Sequence, residues 1–221
     1  MSRNISAIET ESQLKLRGDL HLLRKAWHMG TGLIGLGAHI QLNMAKEETA
    51  TILLTLALSA FAVEFLRMKF EKMNEVVLKA MGPFMRESER NSMSGFPFYA
   101  LGASLSLFFF SEKIAILSVL FLIFSDPISS IFGVLYGKDK ILPNKSLQGS
   151  LAGFVTCYLI TLVYLLGHGI QEFDLIWFAM IAAMIGVFSE LLSIFLDDNL
   201  TIPLVSGLGI TVLNYFFLYF N

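Results

Sequence analysis

Asp126 stands near the middle of LIFSDPISSIFGVLYGK, a stretch apolar enough to lie in a bilayer. An ionised carboxylate there is costly unless it meets water, a cation or a base. On a helix at about 100° per residue, Asp126, Ser129, Ser130, Gly133 and Gly137 share one stripe about 100° wide. The opposite face is Ile, Leu, Val and Phe, so the stripe is expected to face the protein interior. Pro127 removes a backbone donor and predicts a kink or a restart, capped by Ser125 or Asp126. A capping role at a kink, or one half of a buried ion pair, is the plain structural alternative for this aspartate.

Directly afterwards comes GKDKILPNKSLQGSLAG. Lys138, Lys140 and Lys145 form a basic rim, and Ser146, Gly149, Ser150 and Gly153 open the next helix. Free N–H groups at a helix start, beside a lysine, can hold phosphate. The plain alternative is a turn with topology-setting lysines. Gly133-Val-Leu-Tyr-Gly137-Lys138-Asp139 is not a P-loop: one residue is missing between the glycines, and Asp139 replaces the required Ser/Thr.

A second acidic set lies in SELLSIFLDDNLTIPLVSG. Glu190 and Asp197, seven apart, are expected to share a helix face. Asp197, Asp198 and Asn199 follow where that span reaches the membrane surface. Oxygen ligands of this kind suit Mg²⁺, which keeps several waters and bridges nucleotide phosphates. A solvated acidic turn is the alternative. A third set is His28, Thr31, Gly32, Gly35 and His39 on one helix face, preceded by Arg24 and Lys25. Glycines on a membrane helix usually mean close packing, and His28 is a base, a phosphate donor or a packed residue. Glu64 and Arg86-x-x-Glu89 are further candidates. Arg86 is either a phosphate ligand or half of a surface i,i+3 ion pair.

The elements that must position these groups are membrane helices. Of 221 residues 55% are hydrophobic and only 15% charged, with a mean hydropathy of +0.65. A soluble domain carries nearer a quarter charged residues. The sequence predicts an all-α polytopic membrane protein with about seven spans, near 26–43, 48–66, 95–110, 113–136, 148–167, 174–196 and 202–220. The third is short, fitting a tilted or partly re-entrant segment. Residues 1–25 read as a cytoplasmic and interfacial segment, with Leu14, Leu16, Leu20, Leu22 and Leu23 set among charges. This polar start does not fit a cleaved signal peptide. Residues 26–221 form a single membrane-embedded catalytic domain. Its connection 67–94 is an amphipathic cytoplasmic helix stopped near Gly82-Pro83.

Fourteen of the 16 lysines and arginines fall before the first span, between the second and third, or between the fourth and fifth. Lys46 and Lys113 alone fall on the other side. This asymmetry puts the N-terminus and the candidate site in the cytoplasm and the C-terminus outside. The net charge of −2 gives no sign of nucleic-acid binding, and the single Cys157 excludes an internal disulfide.

Arg24-Lys25-x-x-His28, Asp126-Pro-Ile-Ser-Ser-x-x-Gly133-x-x-x-Gly137, Lys145-Ser146-Leu-x-Gly149-Ser150 and Asp197-Asp198-Asn199-x-x-x-Pro203 together resemble the CTP-dependent lipid kinases. That group includes dolichol kinase, phytol kinase and CTP-dependent diacylglycerol kinase. The resemblance covers most of the chain after residue 24. Ser129 departs from it, standing where alanine is common. The same superfamily includes CDP-diacylglycerol synthase, whose late signature of a Lys-Arg pair, His-Gly-Gly and Asp-Arg is absent.

The resemblance implies transfer of the CTP γ-phosphoryl group to a lipid alcohol. Asp126, Asp197 and Asp198 would hold Mg²⁺. Lys138, Lys145, Ser146, Gly149, Ser150 and Asn199 would bind the nucleotide. One of the acids, or His28, would accept the hydroxyl proton. Two other readings stand beside it: a cytidylyltransferase acting on phosphatidate, and an ion-coupled transporter using Asp126, Glu64 and Glu190. The acceptor lipid is left open, and so is a homodimer.

Overall fold

The computed structural model describes residues 20–171, 173–193 and 196–220. Among these, helices occupy every stretch where apolar residues run on without breakers: α1 (Leu22–Gln41), α2 (Lys46–Lys69), α3 (Glu71–Met81), α4 (Phe96–Phe109), α5 (Glu112–Leu120), α6 (Asp126–Tyr136), α7 (Leu147–Gly167), α8 (Leu175–Leu192) and α9 (Asp198–Phe217). Among the described residues, five helices are long and apolar enough to cross a membrane: α2, the continuous Glu112–Tyr136 rod, α7, α8 and α9. Helix α4, with 14 residues, is shorter. The Leu-rich part of the surface segment before Leu20 lies outside the described residues.

Two features differ from the expectation. Helix α8 ends at Leu192 and α9 already begins at Asp198. Glu190 and Asp197 therefore belong to different elements and share no helix face. Between α6 and α7, Lys140–Leu142 (β1) and Lys145–Ser146 (β2) pair antiparallel around Pro143-Asn144. The connection after α2 is amphipathic as expected, with α3 stopping at Met81 before Gly82-Pro83, and two short 3₁₀ turns follow.

Helix α2 packs on α4, α4 on α9, α9 on α8, α8 on α7 and α7 on α6. Phe121, Leu122, Phe178, Ile202 and Ile210 fill the core between them. Small residues set the closest approaches. A Cβ on Gly102 would sit 2.2 Å from the Asn199 carbonyl oxygen, so α4 and α9 touch backbone to backbone beside Asn199. One on Gly149 would sit 2.8 Å from the Ser129 carbonyl oxygen, which brings α7 against α6.

The connection after α2 is pinned by a buried pair. The Arg67 side chain is fully buried and donates to Glu64 at 2.7 Å. It also donates to the carbonyls of Glu89 and Ser92 at 2.9 and 2.7 Å. Glu64 accepts from the Ser94 backbone and hydroxyl, at 2.9 and 2.8 Å.

The rod that carries Asp126 is interrupted by a π turn over Phe121–Ser125. A π turn pairs each N–H with the carbonyl five residues back, so residue 127 would be the donor for Leu122. Proline has no N–H to give. The Leu122 carbonyl instead meets Nε2 of His28, 2.9 Å away on α1. The first turn of α6 then presents Asp126 and Ser129 toward α7 and α8.

Candidate active site

A cavity of about 320 Å³ opens where α6, the β1–β2 hairpin, α7 and the α8–α9 junction meet. Helix α6 contributes Asp126, Ser129, Ser130 and Gly133, the same stripe that the 100° spacing defines. The hairpin adds Lys140, Asn144 and Lys145, and the start of α7 adds Ser146, Gly149 and Ser150. Glu190, Asp198 and Arg86 complete the wall. Ser146 caps the α7 start, with Gly149 N donating to its Oγ at 3.2 Å. Gly133 and Gly137 leave room for Ser146: a Cβ on Gly137 would lie 2.6 Å from its Oγ.

Glu190 is the hub. It is 3% exposed, and its Oε1 accepts from Lys145 Nζ at 2.8 Å and from Ser129 Oγ at 2.5 Å. Its other oxygen, and the hydroxyl of Ser150, are buried with no partner among the described residues. Buried polar atoms are nearly always paired, so two orphans on one cavity wall point to a polar occupant. Burial alone would pull the Lys145 ammonium down. The carboxylates of Glu190, Asp126 and Asp198 outweigh it and hold Lys145 above the usual lysine value. It therefore stays charged.

Among the described residues no three His, Cys, Asp or Glu side chains gather into a ready-made metal cage. Asp126 and Asp198 do line one cavity together. Mg²⁺ is commonly held by one or two carboxylates, with substrate phosphates and water supplying the rest. Two carboxylates beside a lysine and unpaired polar atoms fit that donor set. Asp197 lies one residue away and has a structural task. Its Oδ1 caps α9, accepting from Asn199 N at 3.0 Å and Asn199 Nδ2 at 2.8 Å. Burial first, and the Asp198 carboxylate second, push Asp197 up to about 6. Asn199 also donates to the Gly95 carbonyl at 3.2 Å, while its Oδ1 is unpaired. It lies behind the acids and outside the wall of the main cavity.

A narrow annex of about 30 Å³ joins Asp126 and Ser130 to Arg24, Lys25 and His28 on α1. His28 is thus near the acid, with Nε2 engaged by Leu122. Lys25 is buried and donates to the Leu20 carbonyl. Arg86 and Glu89 do not form the surface pair that their spacing suggests. Glu89 is buried, pairs with Arg24 at 2.6 Å and accepts from the Arg86 backbone N–H at 2.9 Å. Arg86 is thereby left to line the main cavity and the annex. Lys138 is exposed and lines neither; Lys140, two residues on, does. Glu64 is bound up with Arg67 and Ser94, away from the cavity. Asn144 is the polar lining residue that sequence reasoning missed. Its position between Pro143 and Lys145, at a tight turn, is the signal that could have marked it.

Comparison with known proteins adds an independent line. Residues 21–197 match the family described as the cytidylyltransferase family. The chain is 34% identical over 200 residues to CTP-dependent diacylglycerol kinase 1 of Schizosaccharomyces pombe, covering 83% of this chain and 89% of that one. It is 26% identical to CTP-dependent diacylglycerol kinase 1 of Saccharomyces cerevisiae, covering 84% and 70%. A third relative is the Oryza sativa protein named "Probable phytol kinase 2, chloroplastic", 32% identical over 61% of this chain and 47% of its own. No solved structure matches the chain.

Proposed function

The chain belongs to the cytidylyltransferase family, among its CTP-dependent lipid kinases, and on that premise we propose that it transfers the γ-phosphoryl group of CTP to the hydroxyl of a lipid alcohol. Diacylglycerol is the first acceptor to try, because the relative with 34% identity carries that name. The observation that carries the reading is the cavity, where two carboxylates, Lys145, Arg86 and unpaired buried polar atoms converge.

Phosphoryl transfer asks a protein mainly for alignment and charge neutralisation. Lys145, held by Glu190, would take phosphate oxygens, with Arg86 opposite. The backbone N–H groups at the start of α7, through Ser146, Gly149 and Ser150, would cradle the remaining phosphates. Lys138 would act from the rim, attracting the nucleotide. Asn199 would keep Asp197 and Asp198 in register. Mg²⁺ held by Asp126 and Asp198, with Asp197 beside them, would neutralise charge between the phosphates. One of the carboxylates would receive the hydroxyl proton, and His28, tied to Leu122, would position Asp126 for it.

We further propose seven spans, with the N-terminus and the cavity facing the cytoplasm. The lysine and arginine asymmetry supports this, since Arg86, Lys140 and Lys145 lie on both the basic side and the cavity wall. The family description also favours a second reading, transfer of CMP to phosphatidate with release of pyrophosphate. The purified protein, given Mg²⁺ and γ-labelled CTP with diacylglycerol, prenols or phytol, and in a parallel reaction with phosphatidate, separates the two. Label in the lipid is the expected outcome. Label released as pyrophosphate, with phosphatidate converted, overturns the kinase.

A further inference from the structure

A second cavity, of about 350 Å³, lies between α1 and the bundle. Its walls are Gly35 and Leu36 of α1, Leu56 of α2, Ala103 of α4, and Ile116 and Val119 of α5. Resting on the kinase reading above, we propose that this groove holds one hydrocarbon chain of the lipid alcohol, with the hydroxyl end directed to Asp126.

The chemistry of the walls selects the occupant. Every polar side chain on the groove wall already has a partner. Thr31 donates to the Trp27 carbonyl at 2.8 Å, and Tyr99 donates to the His28 carbonyl at 3.0 Å. His39 is bound between Thr49 and Glu112 at 2.8 and 2.9 Å. A groove with no free donor or acceptor rewards hydrocarbon, whereas the main cavity, with Glu190 Oε2 and Ser150 Oγ unpaired, rewards a polar ligand. The glycines of α1 give the groove its width. Close packing is the usual reason for such glycines, yet a Cβ on Gly35 would meet nothing within 4 Å. Only Gly32, against Tyr99 and Ile123, is packed in that way. From Thr31 to His39 the groove follows α1 for about 12 Å, near the depth of one leaflet of a bilayer core about 30 Å thick.

Wall residues shared in series with the candidate site point to which hydrocarbon. Thr31 and Tyr99 close the inner end of the groove and also line a small cavity with Arg24 and His28. Arg24 and His28 line the annex that contains Asp126 and Ser130. Those two line the main cavity. Apolar groove, hydroxyl-bearing neck and charged cavity thus follow one another in the order of tail, glycerol or alcohol head, and phosphate donor. Ordinary bilayer lipid needs no such succession.

The test is photo-crosslinking of the full-length protein with a diacylglycerol carrying a diazirine midway along one chain. Label is expected on peptides holding Leu36, Ala103 and Ile116, and is expected to fall in Gly35→Phe and in Val119→Phe, which fill the groove from opposite walls. Label spread over the outward face of α7, around Val155 and Val163, or unchanged in both variants, overturns the groove. In turnover, both variants should raise KM for long-chain diacylglycerol about tenfold while leaving KM for CTP unchanged. An equal loss with a very short-chain diacylglycerol overturns tail binding. If wild-type protein phosphorylates no lipid alcohol, the kinase reading fails separately, and the crosslinking pattern still decides the groove.

Discussion

Glu64 and Glu190 are both glutamates on apolar helices, and both are nearly out of reach of solvent, at 5% and 3% exposure. Their surroundings differ in one respect. Glu64 gives both oxygens to Arg67 and Ser94, and Arg67 in turn holds the carbonyls of the following turns. Glu190 pairs through one oxygen and leaves the other unpaired beside a cavity. The first cluster is closed, and its work is to fasten the connection after α2 to the bundle. The second is open on the side that faces the cavity. Burial of a charge therefore does not by itself mark a site; an unmet valence next to empty space does. The closure of Glu64 also removes one member of the ion path that a transporter would use.

Substitutions can break or sharpen this contrast. The largest effect is expected at the open cluster: Asp126→Asn and Asp198→Asn should each lower kcat by about 10²–10³-fold or more, with thermal unfolding in detergent little changed. Full turnover in either variant would remove that residue from the mechanism. The closed cluster should respond the other way. Arg67→Met leaves Glu64 buried without its cation, a loss of about 3–5 kcal/mol. Unfolding should shift strongly, and whatever protein remains folded should keep its KM for CTP. Glu190→Gln tests the hub. It should raise KM for CTP more than it lowers kcat, by freeing Lys145; a pure stability loss would move Glu190 into the same class as Glu64. His28→Ala strands the Leu122 carbonyl, costing about 1–3 kcal/mol, and should shift both stability and kcat modestly. The smallest effect belongs to Lys138→Ala, on the exposed rim, where KM for CTP should stay within about twofold.

Much of this contrast lay beyond the reach of the sequence. Hydropathy located the apolar helices to within a few residues, because each span carries its own signal. The 100° stripe on α6 was equally legible, since it depends on one helix alone. Positions that depend on two elements were not. Arg86 and Glu89 obey the i,i+3 rule, but Arg24, 65 residues away from Glu89, takes the acid instead. Glu190 and Asp197 have the spacing for one helix face, but the helix ends between them. Nothing in their spacing distinguishes Glu64 from Glu190, because what separates them is whether a partner arrives from elsewhere in the chain. The hairpin that brings Lys140 and Asn144 to the cavity is two short strands in a polar loop, below the length at which alternation can be read.

The π turn over Phe121–Ser125 has a consequence for heredity as well as for geometry. A π turn amounts to one residue inserted into an α-helix, and one residue is worth about 100° of rotation. The two halves of the Glu112–Tyr136 rod are therefore out of phase. The half before the turn keeps its own azimuth toward the core and the lipid groove, and the half after it swings Asp126 and Ser129 toward Glu190. Point substitutions can vary either half without disturbing the other's bearing. Gain or loss of a single codon within the turn cannot: it would leave every side chain of the stripe intact and turn the whole stripe to the wrong compass point.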